Sequence, residues 1–528
     1  MSVRASEAPA PVATASDLLE SLERPVAAVV RDRVARAVAG QLALISLALW
    51  SLGAVFVAAG KPTILVPQST VDFPTWFAGP LHLLARDFPV RAYPTAIFFS
   101  VVLGALTAAY AVAVLCAPAL GKRTVVGAIL ALHAIWLLAP TMPLTDVFNY
   151  LGYARLGGLH GINPYLHGIA AARHDPVFAL TTWHHLRTPY GPLYTVVTYA
   201  LAPLPLPVAY WVLKVATVGA SLGCVALLWR CAELLGRAPL RPVLLYAANP
   251  LVLVYGLGGF HNDVFVLLAT LGAVVCVLRG RDGRAGALLA AAVAMKLSAG
   301  ILLPFLLLGA RQRRRFLAGA AAAVPPIALV SAIAFGLALP NLGDQSSLLS
   351  SFSVPNALGQ LAGLGGAPPW LLDVAVLLTA GAAALLTRAV WRGRMSWLAG
   401  AGWATLALIL GLAWLQPWYA MWLLPLAALA ASRQLVRWTL ALCLYLLLTF
   451  IPVTGIALAA LHYAPMDSAV GRASIARMHA LQGLPIPHAP RHRRHHGGSK
   501  RSHVRGRHGH RRRGVGTEVA RTAGSRGA

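Results

Sequence analysis

The residues best suited to chemistry begin in the stretch TDVFNYLGYARLGGLHGINPY, Thr145 to Tyr165. Asp146 stands where an apolar run ends, in a chain of 528 residues that contains only 16 Asp and Glu in all, and Tyr150 follows it at i+4. A carboxylate held at such a position can accept a proton from a hydroxyl in the course of a reaction. It can also cap the helix that the spacing of VFNYLGYARL predicts, since Asp is among the preferred N-cap residues. The two readings are compatible, because a cap also fixes the carboxylate. A second polar group, His261, Asn262 and Asp263, closes the segment GGFHND, and Lys296 lies within an apolar run from Arg284 to Arg311. An ionisable side chain inside an apolar run is expensive and marks a functional site by default. The plainer reading is a lysine snorkelling from a simple span. Trp414, Trp418, Tyr419 and Trp422 fit an interfacial aromatic belt first, and a surface that stacks on a sugar or holds a lipid chain second.

The elements that must position these residues are membrane helices. The chain is 58% hydrophobic and 11% charged, with a mean hydropathy of +0.69, far from the roughly 25% charge of soluble domains. The fold class expected is an all-α, polytopic transmembrane helix bundle with about 11 to 14 membrane segments, including re-entrant or partial helices. The formal charge of +28 sits in short clusters between apolar runs and in a C-terminal tail, the pattern of cytoplasmic loops, so no nucleic acid is expected as a partner of the body. Residues 1–38 read as a cytoplasmic segment, 39–464 as the membrane domain with outer loops at 61–92, 141–190 and 339–369, and 465–528 as a disordered tail rich in His and Arg. A single crossing between Arg284 and Arg311 would export the basic cluster that follows. A re-entrant hairpin with Lys296 near its tip keeps that cluster inside. This topology puts Asp146 and the His261 to Asp263 segment on one outer face. The five cysteines show no CxxC spacing, and the histidines of the 141–190 loop show no ligand spacing, so neither disulfide nor metal site is expected.

No P-loop, dinucleotide glycine fingerprint or DxD pair is present, so the chain is not built to hold ATP, NAD or a sugar nucleotide. A reaction on an outer face needs an activated donor that arrives in the membrane, and a polyprenyl-phosphate sugar meets that need. Its leaving phosphate calls for a cation or imidazole, which Lys296 with His261 or Arg155 could supply. Its acceptor hydroxyl calls for a base, for which Asp146 is suited. Tyr150, Asn163, Tyr165, Tyr190, Asn262, Asp263, Trp418 and Tyr419 are the further substrate-binding candidates. No cofactor is called for, and a divalent ion is left open.

The blocks TDVFNY, GLHGINPYLHG, TPYGPLY, NPLVLVYGLGGFHND, AMKLSAGILLPFLLL and QPWYAMWLLPL resemble, in order, motifs of actinobacterial polyprenol-phosphomannose-dependent alpha-1,6-mannosyltransferases. These are membrane glycosyltransferases of the GT-C class. The resemblance runs from roughly residue 95 to 430 and departs at Phe260, where a small residue is commoner, and in the basic tail. It implies a GT-C fold and inverting transfer of mannose at the outer face of the plasma membrane. The donor would be a polyprenyl-phosphate sugar, the acceptor a lipid-linked glycan, and Asp146 the base. A transporter or flippase of lipid-linked saccharide is the alternative from another class, with the same polar cluster as a binding site and no chemistry.

Overall fold

A computed structural model describes residues 15–485, apart from residue 64 and segments 67–73 and 89–91. Residues 1–14 and most of the expected tail, 486–528, lie outside the described residues. The described chain contains helices and no strand. The helices used below are α1 (Ala15–Gly60), α2 (Ala92–Cys116), α3 (Lys122–Leu137), α4 (Asp146–Gly158), α5 (Pro192–Thr198), α6 (Leu206–Leu234), α7 (Leu240–Ala247), α8 (Asp263–Leu278), α9 (Asp282–Met295), α10 (Leu303–Gly309), α11 (Arg313–Phe335), α12 (Pro369–Trp391), α13 (Trp397–Gly411), α14 (Ala420–Leu429), α15 (Arg433–Phe450) and α16 (Ala469–Gln482).

Among the described residues six helices are long and apolar enough to cross a membrane: parts of α1, α2, α6, α11, α12 and α15. With the shorter apolar helices α5, α8, α10, α13 and α14 they form an all-α polytopic bundle. Their two roles in packing differ. The apolar windows of α11 and α12 bury 6% and 0% of their residues within the protein, so lipid must cover them, whereas α2 buries half of its window. The main core joins α1 to α8, α13, α14 and α15 through Leu47, Trp136, Tyr210, Tyr246, Leu253 and Leu424.

Several expected elements take another form. The apolar run over about 242 to 257 is broken rather than one span: α7 and the wide helical turn Leu251–Leu257 meet at 50°. Pro250 has no N–H to continue the helix, and the Asn249 side chain receives the Leu251 amide at 3.0 Å instead. The apolar run near 437 to 460 likewise breaks before Pro452 into α15 and the helix Pro452–Ala460. The 141–190 loop contains the 13-residue helix α4. Asp146 is the first residue of α4 rather than its cap, which is Thr145. Finally, the disordered tail does not begin at 465, because α16 is folded. Ser468 caps it by accepting the Gly471 amide, and Gly483, at φ 74°, ends it in the left-handed region that suits glycine. Its buried residues Gly471, Ser474 and Leu481 recur at helical spacing. The Ser474 hydroxyl accepts from the Leu349 amide, and the Arg477 guanidinium donates to Asp344 at 2.7 Å.

The region expected to be re-entrant does turn back. α9 ends at Met295, Lys296 is extended (φ −156°, ψ 119°), and a tight helical turn Leu297–Leu302 leads into α10. The ends meet again, since the Gln312 amide donates to the Asp282 carboxylate at 2.7 Å. Lys296 therefore occupies the far turn of a hairpin. This hairpin is pressed against α11 at Gly286, where an added Cβ would lie 1.9 Å from the Phe316 carbonyl oxygen. A β-branched residue there must drive the two helices apart. We expect Gly286→Val to cost roughly 1–3 kcal/mol of stability, read as a lower Tm of the detergent-solubilised protein. An unchanged Tm would show that this contact does not hold the hairpin.

Candidate active site

The broken helices aim their ends at one place. The start of α4, the turn before α8, the tip of the α9 hairpin and the segment leading into α14 line a cavity of about 420 Å³. The bends make this possible: an unbroken span would carry Lys296 past the site, and an unbroken α7 would carry the His261 to Asp263 segment away from it. Two close backbone contacts fix the parts. The Met142 amide donates to the Gly258 carbonyl at 2.8 Å, tying the approach to α4 to the approach to α8. The Gly191 amide donates to the Met295 carbonyl at 2.9 Å. Gly191 has to be a glycine here, because a Cβ would lie 2.1 Å from the Ala294 carbonyl oxygen.

Asp146 opens to this cavity with its side chain 17% exposed. Its carboxylate makes no hydrogen bond among the described residues. Nδ1 of His261 lies 3.6 Å from it, beyond hydrogen-bond range. Burial pushes the Asp146 carboxyl up to about 7, with Lys296 pulling the other way and Asp263 adding to the rise. His261 is stacked on Trp418, ring centres 3.5 Å apart. Burial, with Lys296 adding to it, holds this imidazole well below the usual histidine range. It is therefore a neutral hydrogen-bonding group and not a counter-charge.

Asp263 is bound tightly where Asp146 is not. Its Oδ1 accepts from Lys296 Nζ at 2.6 Å and from the Trp422 indole at 2.6 Å. Lys296 also lies 5.2 Å from the centre of the Tyr419 ring and 4.9 Å from that of Trp422, positions in which an ammonium is attracted to the ring faces. Four buried polar atoms in this turn have no partner within the protein: His261 Nε2, both amide atoms of Asn262, and Asp263 Oδ2. Buried polar groups are seldom left so. These atoms belong to residues that line the cavity, which is the condition of a site that awaits a polar ligand.

Tyr150 and Tyr190 complete this wall, their rings edge to face at 4.9 Å. Thus Asp146, Tyr150, Tyr190, His261, Asn262, Asp263, Lys296, Trp418 and Tyr419 line one cavity. Arg155, Asn163 and Tyr165 do not. Arg155 is engaged away from this cavity: its Nε donates to Asp175 at 2.9 Å and its Nη1 to the Ala202 and Leu204 carbonyls. Burial raises the Asp175 pKa, yet hydrogen bonds from Arg155, the Val177 amide and His160 prevail and hold it low. Asn163 donates to the Phe335 carbonyl, and the Tyr165 hydroxyl donates to the Tyr190 carbonyl at 2.8 Å, which positions Tyr190 from behind. The remaining lining includes Asn149, Trp183, Gln345, Gln416, Met478 and Gln482, which sequence reading did not single out as site residues. Only Asn149 carried a signal, one turn along the helix from Asp146.

The sequence profile described as the N-terminal domain of alpha-(1->6)-mannopyranosyltransferase matches residues 37–312, just over half of the chain. The chain belongs to this alpha-(1->6)-mannopyranosyltransferase family. An alpha-(1->6)-mannopyranosyltransferase of Mycobacterium tuberculosis is 27% identical over 376 residues, which are 56% of this chain and 63% of that relative. Alpha-(1->6)-mannopyranosyltransferase A of the same organism is 27% identical over 381 residues, 63% of this chain and 72% of its own length. A probable alpha-(1->6)-mannopyranosyltransferase of Mycolicibacterium smegmatis is 26% identical over 366 residues, covering 58% of this chain and 65% of the relative. The chain thus spans less than two thirds of the first and third of these relatives. No solved structure matches. The mannopyranosyltransferase profile takes in Asp146, the His261 to Asp263 turn and Lys296, whereas Trp418, Tyr419 and Gln482 lie beyond its end. The cavity is therefore assembled from the matched region and from chain that follows it.

The electrostatic arrangement is open to direct titration. Asp263→Asn removes a charge that raises the Asp146 pKa and should lower it. Lys296→Met removes a charge that lowers it and should raise it. Isotope-edited infrared titration of the Asp146 carboxyl should give a midpoint near 7 in the parent protein and shifts of opposite sign in the two variants. Shifts of the same sign would contradict the placement of these three groups.

Proposed function

We propose that the protein is a membrane mannosyltransferase. It transfers mannose from a polyprenyl-phosphate donor to a lipid-linked glycan acceptor at the outer face of the plasma membrane, with inversion and with Asp146 as general base. Family membership supports the reaction class, and the names of the relatives support mannose and an α-1,6 linkage. The observation that carries the mechanism is the contrast of two carboxylates in one cavity. Asp263 is occupied by Lys296 and Trp422, while Asp146 has no hydrogen bond and is free to receive one from an acceptor hydroxyl.

The chemistry balances with these groups. The acceptor hydroxyl gives its proton to Asp146 as its oxygen bonds to the anomeric carbon of the donor sugar. The bond from that carbon to the phosphate oxygen breaks, and its electron pair leaves with polyprenyl phosphate. Negative charge grows on the departing phosphate, where the Lys296 ammonium counters it and neutral His261 and Asn262 can donate hydrogen bonds. A single displacement inverts the anomeric centre, so an α product implies a β-linked donor. No cofactor enters these steps.

Asp146 is proton-free above about pH 7, so transfer should fall as pH drops through that value, because the protonated acid is no base. Asp146→Asn keeps the shape and removes the base. Its transfer of radiolabelled mannose from polyprenyl-phosphomannose, assayed in membranes at matched expression, should fall by about 10²- to 10⁴-fold. Near-parental transfer by this variant would eliminate the assignment. Movement of the labelled lipid with no new glycosidic bond would point to a transporter instead.

A further inference from the structure

The cavity is chemically two-sided. One side holds the charged and imidazole groups around Asp146, Asp263 and Lys296. The other is uncharged. Trp183 and Trp414 meet edge to face, ring centres 6.1 Å apart, in an apolar cluster with Leu186, Leu348, Met478 and Leu481. Around them the amides of Asn149, Gln345, Gln416 and Gln482 belong to the same lining. None of the three glutamine side chains makes a hydrogen bond among the described residues, although Gln416 is only 5% exposed. The Asn149 Oδ1 is buried without a partner, while its Nδ2 donates to the Trp183 carbonyl.

Resting on the transfer reading above, the geometry points to an acceptor-saccharide subsite formed by Trp183, Trp414, Gln345, Gln416, Gln482 and Asn149, beside the reacting hydroxyl's place at Asp146. Amides both donate and accept, so they suit neutral sugar hydroxyls, which do both as well. Indole faces suit the C–H faces of a pyranose ring, a large apolar area with a polar edge. The donor's phosphate belongs with Lys296, and no cation lines the amide side, so that side receives the partner without a phosphate at the reacting end: a neutral glycan chain whose preceding sugars extend away from Asp146. Five separate stretches supply it, and α16 brings Gln482. That helix is held over the cavity by the Arg477–Asp344 pair, by Arg187 on the same carboxylate, and by the His185 amide donating to the Leu481 carbonyl at 2.9 Å. Residues that sequence reading placed in a disordered tail thus help to choose the acceptor.

The test uses the full chain in detergent. Gln345→Met and Gln482→Met keep side-chain length and remove the amide. Both side chains are partly exposed and make no hydrogen bond to the described residues, so folding should be unaffected. Each should raise the acceptor KM about fivefold and leave the donor KM unchanged, and Trp414→Ala should raise it about tenfold. Independently, α-1,6-mannotriose should bind the Asp146→Asn protein with no donor present, read by saturation-transfer NMR, and the signal should weaken when Gln482→Met or Trp414→Ala is added. Unchanged acceptor KM and undiminished mannotriose binding in these variants would overturn the subsite while leaving the transfer reading in place. A rise in the donor KM alone would overturn it too, assigning the amides to the donor sugar. Mannotriose binding with this dependence in a protein that forms no glycosidic bond would refute the transfer reading and keep the subsite.

Discussion

Everything in the site depends on finding partners for one ammonium group. Lys296 sits at the turn of a hairpin within a membrane bundle, its side chain 19% exposed, where an unpaired cation would cost several kcal/mol. Asp263 meets it at 2.6 Å, and the faces of Tyr419 and Trp422 flank it. Those partners come from the start of α8 and from the entry to α14, so satisfying the lysine draws three remote stretches to one point. The Trp422 indole then binds the same carboxylate oxygen, which closes the set. An extended residue at 296 and a 50° bend near 250 are compatible with that convergence.

That clamp determines what the neighbours can do. With Asp263 committed, the turn before α8 keeps His261 neutral and stacked on Trp418, and leaves Asn262 with two idle polar atoms. Such atoms in a buried site are costly without a ligand and favourable with one. A hydrated phosphate entering from the membrane would exchange its water for donors already fixed in place, which is the arrangement that stabilises charge as it develops.

How much of this was legible in the sequence depends on what each residue's signal owed to its neighbours along the chain. Asp146, His261 to Asp263 and Lys296 stood out because ionisable groups beside or inside apolar runs are rare, and rarity needs no knowledge of the fold. Arg155 misled for the converse reason: its partner Asp175 is 20 residues away and the Ala202 and Leu204 carbonyls about 50, and nothing local shows that they neutralise it. Trp418 was ambiguous between an aromatic belt and the site until its stacking on His261 fixed which way the ring faces. The hairpin was readable from the basic cluster that would otherwise be exported, whereas the broken span at Asn249–Pro250 was obscured by a continuous apolar run. Helix α16 was hidden by composition. Its buried positions are Gly, Ser and Leu, too small to register as an apolar stripe among Arg and His.

The two carboxylates show how environment, not residue type, divides the labour. Both come from the first residue of a helix, α4 for Asp146 and α8 for Asp263, and both belong to one cavity lining. Asp263 accepts two short hydrogen bonds on one oxygen, from Lys296 and from the Trp422 indole. Asp146 has burial acting on it without a hydrogen bond in return, so its carboxyl is raised to about 7 and can hold or release a proton at modest cost. Exchanging the residues' surroundings would exchange their roles. The sequence around each is a helix start, and the position of Lys296, set by a hairpin 33 residues beyond Asp263, separates the hydrogen-bonded acid from the one left open to the cavity.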